Sequence, residues 1–248
     1  MKGIILAGDS GSRLHPLTLG VPKQLLPIYD NPMIYYPVET LVESGITEIL
    51  VITTAEHQQL FEKALGDGSR FGAHFEYAIQ EEANGIARAI NIASEFIGKE
   101  SVCLITGDMI IAGDGVKNHI AKAIKAVEKS GNATIFVEAK NYPDQYGRVV
   151  MNRERKVESV VGETDTPFYY SIASLYVFPS SVVSHARNIV PSERGRYEIT
   201  DVNKRFFDEC KLQVQVLDSK CIWFDTNNVD NLMKCAEYFK MKEQKRNI

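Results

Sequence analysis

Across the first 140 residues, short apolar runs alternate with helix-like stretches, and no other feature of the chain restricts its fold as strongly. Lys2 to Ala7 is nearly all apolar, as a strand buried on both faces is. Further strand-like runs follow at 46–54, 75–80, 101–106 and 133–139. A helix is predicted from Asn31-Pro32, with Asn as cap and Pro in the first turn, up to Gly45. Others are predicted over 57–65, 86–97 and 116–130. Strands alternating with helices of these lengths specify an α/β fold: a doubly wound, mostly parallel, Rossmann-like sheet with helices on both faces. Beyond residue 140 the texture turns β-rich, with strands expected at 146–151, 156–161, 171–178, 212–217 and 221–224. Two helices are expected near 182–189 and 198–209, and a last one from about 229 to 242.

Composition narrows the function classes. A chain of 248 residues with 44% hydrophobic content can bury a substantial core as one elaborated domain. No apolar run approaches the roughly 20 residues of a membrane-spanning helix. The first apolar run ends in a Gly-rich polar loop, unlike a signal peptide, so a cytoplasmic protein without a membrane partner is expected. Cys103, Cys210, Cys221 and Cys235 are widely spaced and form no C-x-x-C pair, which favours reduced thiols over zinc or dithiol chemistry. A net charge of -4 without a basic block argues against nucleic acid as a partner.

Ligands of such sheets sit beyond the carboxyl ends of the strands. Three polar stretches fall there: GDSGSR after the first strand, Gln80 after the third and Gly107-Asp108 after the fourth. Gly8 and Gly11 permit a tight turn that aims N–H groups at an anion, and Arg13 adds a rigid fork suited to phosphate. An ordinary strand-to-helix turn is the plainer reading of that loop. Its spacing matches neither G-x-G-x-x-G nor G-x-x-x-x-G-K-[ST]. Lys23 lies between prolines, where a lone lysine usually meets only solvent. Asp108 either meets a metal bridging phosphates or caps a turn. Asp225, after the apolar CIWF run, is a second carboxylate of this kind or the cap of the last helix. H-E-x-x-H, G-x-S-x-G and any histidine cluster are missing from the sequence. A phosphate-transfer reaction needs none of them, because a phosphate monoester is already an anionic nucleophile at neutral pH.

Taken together, MKGIILAGDSGSRL, KQLLPIYDNPMIYYP, EYAIQEEANGIARA, VCLITGDMI, ERGRYEIT and WFDT resemble, in order and spacing, the short-form bacterial glucose-1-phosphate thymidylyltransferases. The resemblance covers nearly the whole chain. It implies a single nucleotidyltransferase domain over 1–248, with 1–140 as the nucleotide-binding half and 141–248 as the sugar-phosphate half and C-terminal helix. It implies that Arg13 and Lys23 hold the phosphates and stabilise the transferring group. Leu6, Ala7, Gly8 and Gly11 would contact the nucleotide, Gln24 the deoxyribose region, and Gln80 and Gly85 the pyrimidine. Asp108 and Asp225 would bind Mg2+. Tyr146, Gly147, Glu163 and Glu198 would line the sugar-phosphate side. The implied partners are dTTP or UTP and a sugar 1-phosphate, and the implied assembly is a homotetramer.

The chain departs from the resembled pattern at Asp9, Met109, Thr164, Ser174 and Asn227. Thr164 stands where a sugar-phosphate-gripping Lys is usual, and Asp9, Ser174 and Asn227 replace glycines. Arg148 and Arg196 are cations near enough in sequence to compensate. The leading expectation is formation of dTDP-glucose and pyrophosphate, with weak or altered use of glucose 1-phosphate as one consequence of these departures. Two alternatives stand beside it: another acceptor phosphate with dTTP, UTP or CTP, and a nucleotide-binding protein without activity.

Overall fold

The computed structural model describes residues 1–113, 115–139, 147–152, 154, 156–161 and 169–246. β1 (Lys2–Leu6) leads to a minimal hairpin, β2 (Pro27–Ile28) and β3 (Asn31–Pro32). Next come α1 (Tyr35–Glu43), β4 (Glu48–Thr53), α2 (Gln58–Leu65), β5 (His74–Ile79), α3 (Ile86–Ile92), α4 (Ser94–Ile97) and β6 (Val102–Thr106). The chain continues through β7 (Ile110–Ala112), α5 (Val116–Ser130), β8 (Ala133–Glu138), β9 (Arg148–Met151), β10 (Val157–Val161) and β11 (Tyr170–Phe178). It closes with α6 (Val182–Arg187), α7 (Ile199–Asp208), β12 (Leu212–Val216), β13 (Ile222–Phe224) and α8 (Val229–Arg246).

Four of the apolar runs form the parallel part of a nine-stranded mixed sheet, in the order β5-β4-β1-β6. Leu6 pairs with both Ile52 and Thr106, so these three strands finish at one level, and Thr53 pairs with Ile79 one step further on. Side chains alternate between faces with the two-residue period of a strand. Ile5 and Ala7 join Ile49, Val51, Cys103 and Ile105 under α1, α2 and α5. Ile4 and Leu6 join Leu50, Ile52 and Leu104 under α3, α4, α6 and α7. The helices match this with spaced apolar positions, such as Val116, Ile120, Ala123 and Val127 of α5. A third cluster seats α8 through Cys235 on Ile28, Met33, Tyr36 and Ile110.

β11, from the second half of the chain, runs antiparallel between β6 and β8 and pairs with both. Two sequence expectations need correction. Residues 31–32 do not open a helix. They pair with Pro27–Ile28, Met33 N–H donates to Leu26 O, and the helix begins at Tyr35. Pro32 has no N–H to give a ladder, and a two-residue edge strand tolerates that. The helix over 86–97 breaks at Ala93. No helix among the described residues is long and apolar enough to cross a membrane.

Candidate active site

The ends of β1, β5 and β6 open into one cleft of about 280 Å³. Leu6, Gly8, Gly11, Arg13, Gln24 and Lys23 line it, with Gln80, Gly85 and Asp108 facing from the neighbouring strand ends. Ala7 is buried just behind, its N–H donating to Ile52 O at 2.7 Å.

The loop after β1 is shaped by Gly11, whose φ of 63° lies in the left-handed region. A methyl there would come within 2.8 Å of Lys23 Cβ and 3.0 Å of Thr18 Cγ2, so glycine is required twice over. Thr18 Oγ1 pins the loop by donating to Gly11 O at 2.7 Å. Asp9 has no positive φ; its Oδ1 accepts from Gly11 N–H at 3.3 Å. Arg13 is exposed on the 3-10 turn Ser12–Leu14 that follows.

Lys23 does not lie in solvent, as a lone lysine usually would. It is 1% exposed, and its ammonium donates to Asp108 Oδ2 at 2.6 Å and to Asn227 Oδ1 at 2.7 Å. Burial pushes the Asp108 carboxyl up, but the Lys23 charge, its hydrogen bond and one from Thr106 outweigh that. The net shift is below the ordinary carboxylate range. The far side of this cluster comes from β13, which pairs antiparallel with β7 so that Phe224 opposes Ile110. That register returns Asp225, Thr226 and Asn227 to the Asp108 end of β6. Thr226 Oγ1 donates to Asp108 O at 3.0 Å. Asp225 Oδ1 accepts from Asn227 N–H at 3.1 Å and from Asn227 Nδ2 at 2.8 Å. A continuous chain of polar contacts therefore runs Asp108–Lys23–Asn227–Asp225. Asp225 itself is 6% exposed, and it is Thr226 and Asn227 that line the cleft.

The opposite end is built for recognition by shape and hydrogen bonds. Gln80 Nε2 is held by Asn84 Oδ1 at 3.1 Å and Gly85 O at 3.2 Å. Gly85 has φ 115°, and a methyl there would meet Tyr197 O at 2.3 Å. Gln24 is 1% exposed, and its Oε1 has no hydrogen-bond partner among the described residues. A buried amide oxygen left unpaired in a cleft is a place for a ligand donor.

The acceptor-side residues expected from sequence are less concentrated. Gly147 O accepts from Ile172 N–H at 2.8 Å, and Glu198 Oε1 accepts from Ser192 Oγ at 3.0 Å and Arg194 at 3.2 Å. Neither is among the residues lining the cleft, whereas Ser174 and Arg196 are. Tyr146 and Glu163, like Thr164, lie outside the described residues. Sequence reasoning did not single out Thr226 or assign a role to Asn227; their adjacency to Asp225 was the available signal.

A family model described as nucleotidyl transferase matches residues 2–241. The chain belongs to the nucleotidyl transferase family. Among its nucleotidyl transferase relatives, a glucose-1-phosphate thymidylyltransferase of Mycolicibacterium smegmatis is 40% identical over all of this chain and 85% of that relative. The enzyme of the same name from Neisseria meningitidis serogroup A is 39% identical over the same shares. A Bacillus anthracis structure assigned as a glucose-1-phosphate thymidylyltransferase, crystallised with sucrose, superposes with a TM-score of 0.87 at 32% identity, covering 96% of this chain and 94% of that one. A UDP-glucose pyrophosphorylase complexed with UDP-glucose shares the fold, with a TM-score of 0.84 at 20% identity over 97% and 98% of the two chains.

Proposed function

We propose that this nucleotidyltransferase condenses dTTP with α-D-glucose 1-phosphate to give dTDP-glucose and pyrophosphate. The carrying observation is one cleft at the parallel strand ends that combines a glycine turn, Arg13 and the buried Lys23–Asp108 pair. Relatives named for this reaction match the whole chain.

A phosphate oxygen of the sugar phosphate attacks the α-phosphorus of dTTP, and the bond to the bridging oxygen of the departing pyrophosphate breaks. Both reactants arrive as anions, so the protein's work is alignment and charge stabilisation. The Gly8–Gly11 turn presents backbone N–H groups and Arg13 adds the guanidinium fork. Lys23 follows the charge onto the transferring phosphoryl group. Gln24 Oε1 accepts from the deoxyribose hydroxyl, and Gln80 with Gly85 reads the pyrimidine edge.

Asp108 and Asp225 fit Mg2+, which takes hard oxygen donors from one or two carboxylates and fills the rest with phosphate and water. The ammonium already set against Asp108 supports the reading that this carboxylate suits a cation. When bound, the metal neutralises phosphate charge. The resemblance assigns Glu198, Gly147, Tyr146 and Glu163 to the acceptor side, and on this reading the chain works as a cytoplasmic homotetramer.

Asp9 holds the loop without a positive φ, its Oδ1 on Gly11 N–H, so its place in the loop does not by itself require an altered acceptor. A pyrophosphate-release assay across dTTP, UTP, CTP, ATP and GTP, each with glucose 1-phosphate, tests the reading. Release should be highest with dTTP and at least tenfold lower with purines. Equal rates with ATP would refute the base assignment.

A further inference from the structure

Away from the cleft, His119, Asp218 and Cys221 bring three different donor atoms to within 4.8 Å of one another. His119 lies on α5, and the other two bracket the turn that feeds β13. His119 Nε2 stands 3.2 Å from Asp218 Oδ2. Two ligands of one tetrahedral zinc, at bonds of about 2.0–2.1 Å, lie about 3.4 Å apart, so this pair already has the required spacing. Cys221 is 6% exposed, and its thiol takes a backbone hydrogen bond from Asp218. The turn itself is rigid: Lys220 N–H donates to Asp218 Oδ1 at 2.9 Å and Cys221 N–H to Asp218 O at 3.0 Å. That leaves Oδ2 directed at the histidine. Gly115 provides the room, since a methyl there would lie 3.0 Å from Cys221 Sγ and 3.4 Å from Asp218 Oδ1.

We infer that His119, Asp218 and Cys221 form a site for a zinc-class divalent ion, with water as the fourth ligand. Imidazole and thiolate select a borderline-soft metal over magnesium. The thiol gives up its proton on binding, and the histidine ligates through Nε2 with its ring proton moved to Nδ1. Gln215 already lies 2.8 Å from Nδ1, and its amide, turned end for end, accepts that proton. The occupied site would tie α5 to the turn leading into β13, and so to Asp225 at the strand's far end.

The test is cobalt titration of the metal-stripped full chain in millimolar magnesium, which occupies hard-oxygen sites. One cobalt per chain should bind with a near-ultraviolet thiolate-to-cobalt band. The band should persist in Cys210→Ser, which removes the exposed thiol, and vanish in Cys221→Ser. Asp218→Asn, at a half-exposed position that spares the core, should weaken binding at least tenfold. Absence of the band in the wild type, its survival in Cys221→Ser, or unchanged affinity in Asp218→Asn would overturn the site.

Discussion

Lys23 and Gln24 are adjacent buried residues with opposite roles. Lys23 is satisfied by the protein and stabilises it. Lys23→Met strands the Asp108 carboxylate, whose side chain is 19% exposed. Breaking such a pair costs about 3 kcal/mol, or roughly 6–12 °C in Tm for a chain of this size. The loss depends on pH. Asp108 titrates below its ordinary value in the folded chain, so its stabilisation is present above the unfolded value of about 3.9 and fades as pH falls through the folded one. Urea melts should show the wild-type advantage over Lys23→Met full at pH 7 and shrinking below about pH 4. Gln24 Oε1 has no hydrogen-bond partner among the described residues, and on the proposed reading it meets the nucleotide. Gln24→Met keeps its volume and removes the orphaned oxygen. It should leave stability unchanged or raised, yet weaken dTTP binding about tenfold by calorimetry. Unchanged affinity would detach Gln24 from the nucleotide.

At the level of elements, the turn after β5 is locked to the segment before α7. Tyr197 N–H donates to Asn84 O at 2.7 Å, and Ala87 N–H donates to Tyr197 O at 3.2 Å. Gly85→Ala drives a methyl into that carbonyl at a φ that alanine resists. A loss of about 2 kcal/mol or more is expected in denaturant melts, together with loss of dTTP binding. The β1, β4, β5 and β6 strand ends were legible in sequence because buried parallel strands write themselves as apolar runs, and glycine and charge mark where each stops. The insertion of β11 was not legible. Period-two alternation states that a strand exists, but its partner is chosen by long-range packing against β6 and β8. The β2–β3 hairpin was misread because Asn-Pro signals a helix start and a turn with equal force. Asn227 looked like a mere departure. Its role as the link between Lys23 and Asp225 depends on the β7–β13 register, which no local pattern carries.

In the whole molecule, both halves of the chain build one sheet and one cleft. The first half supplies the strand ends, Arg13, Lys23 and Asp108; the second supplies β13 with Asp225 and Asn227, and adds Ser174 and Arg196 to the cleft lining. This division suits a reaction between two anions, since the cationic and carboxylate groups meet where the halves join. A scaffold that only bound nucleotide would need no second substrate and would release no pyrophosphate. Phosphorus NMR of the purified chain with dTTP, glucose 1-phosphate and Mg2+ tests this most directly. Equal amounts of pyrophosphate and a new sugar–nucleotide diphosphate should appear together. Arg13→Ala should fold normally and be slower by about 100-fold or more, the scale of one lost transition-state contact. Triphosphate consumed without the sugar–nucleotide product, no turnover at all, or unimpaired turnover in Arg13→Ala would contradict the assigned chemistry.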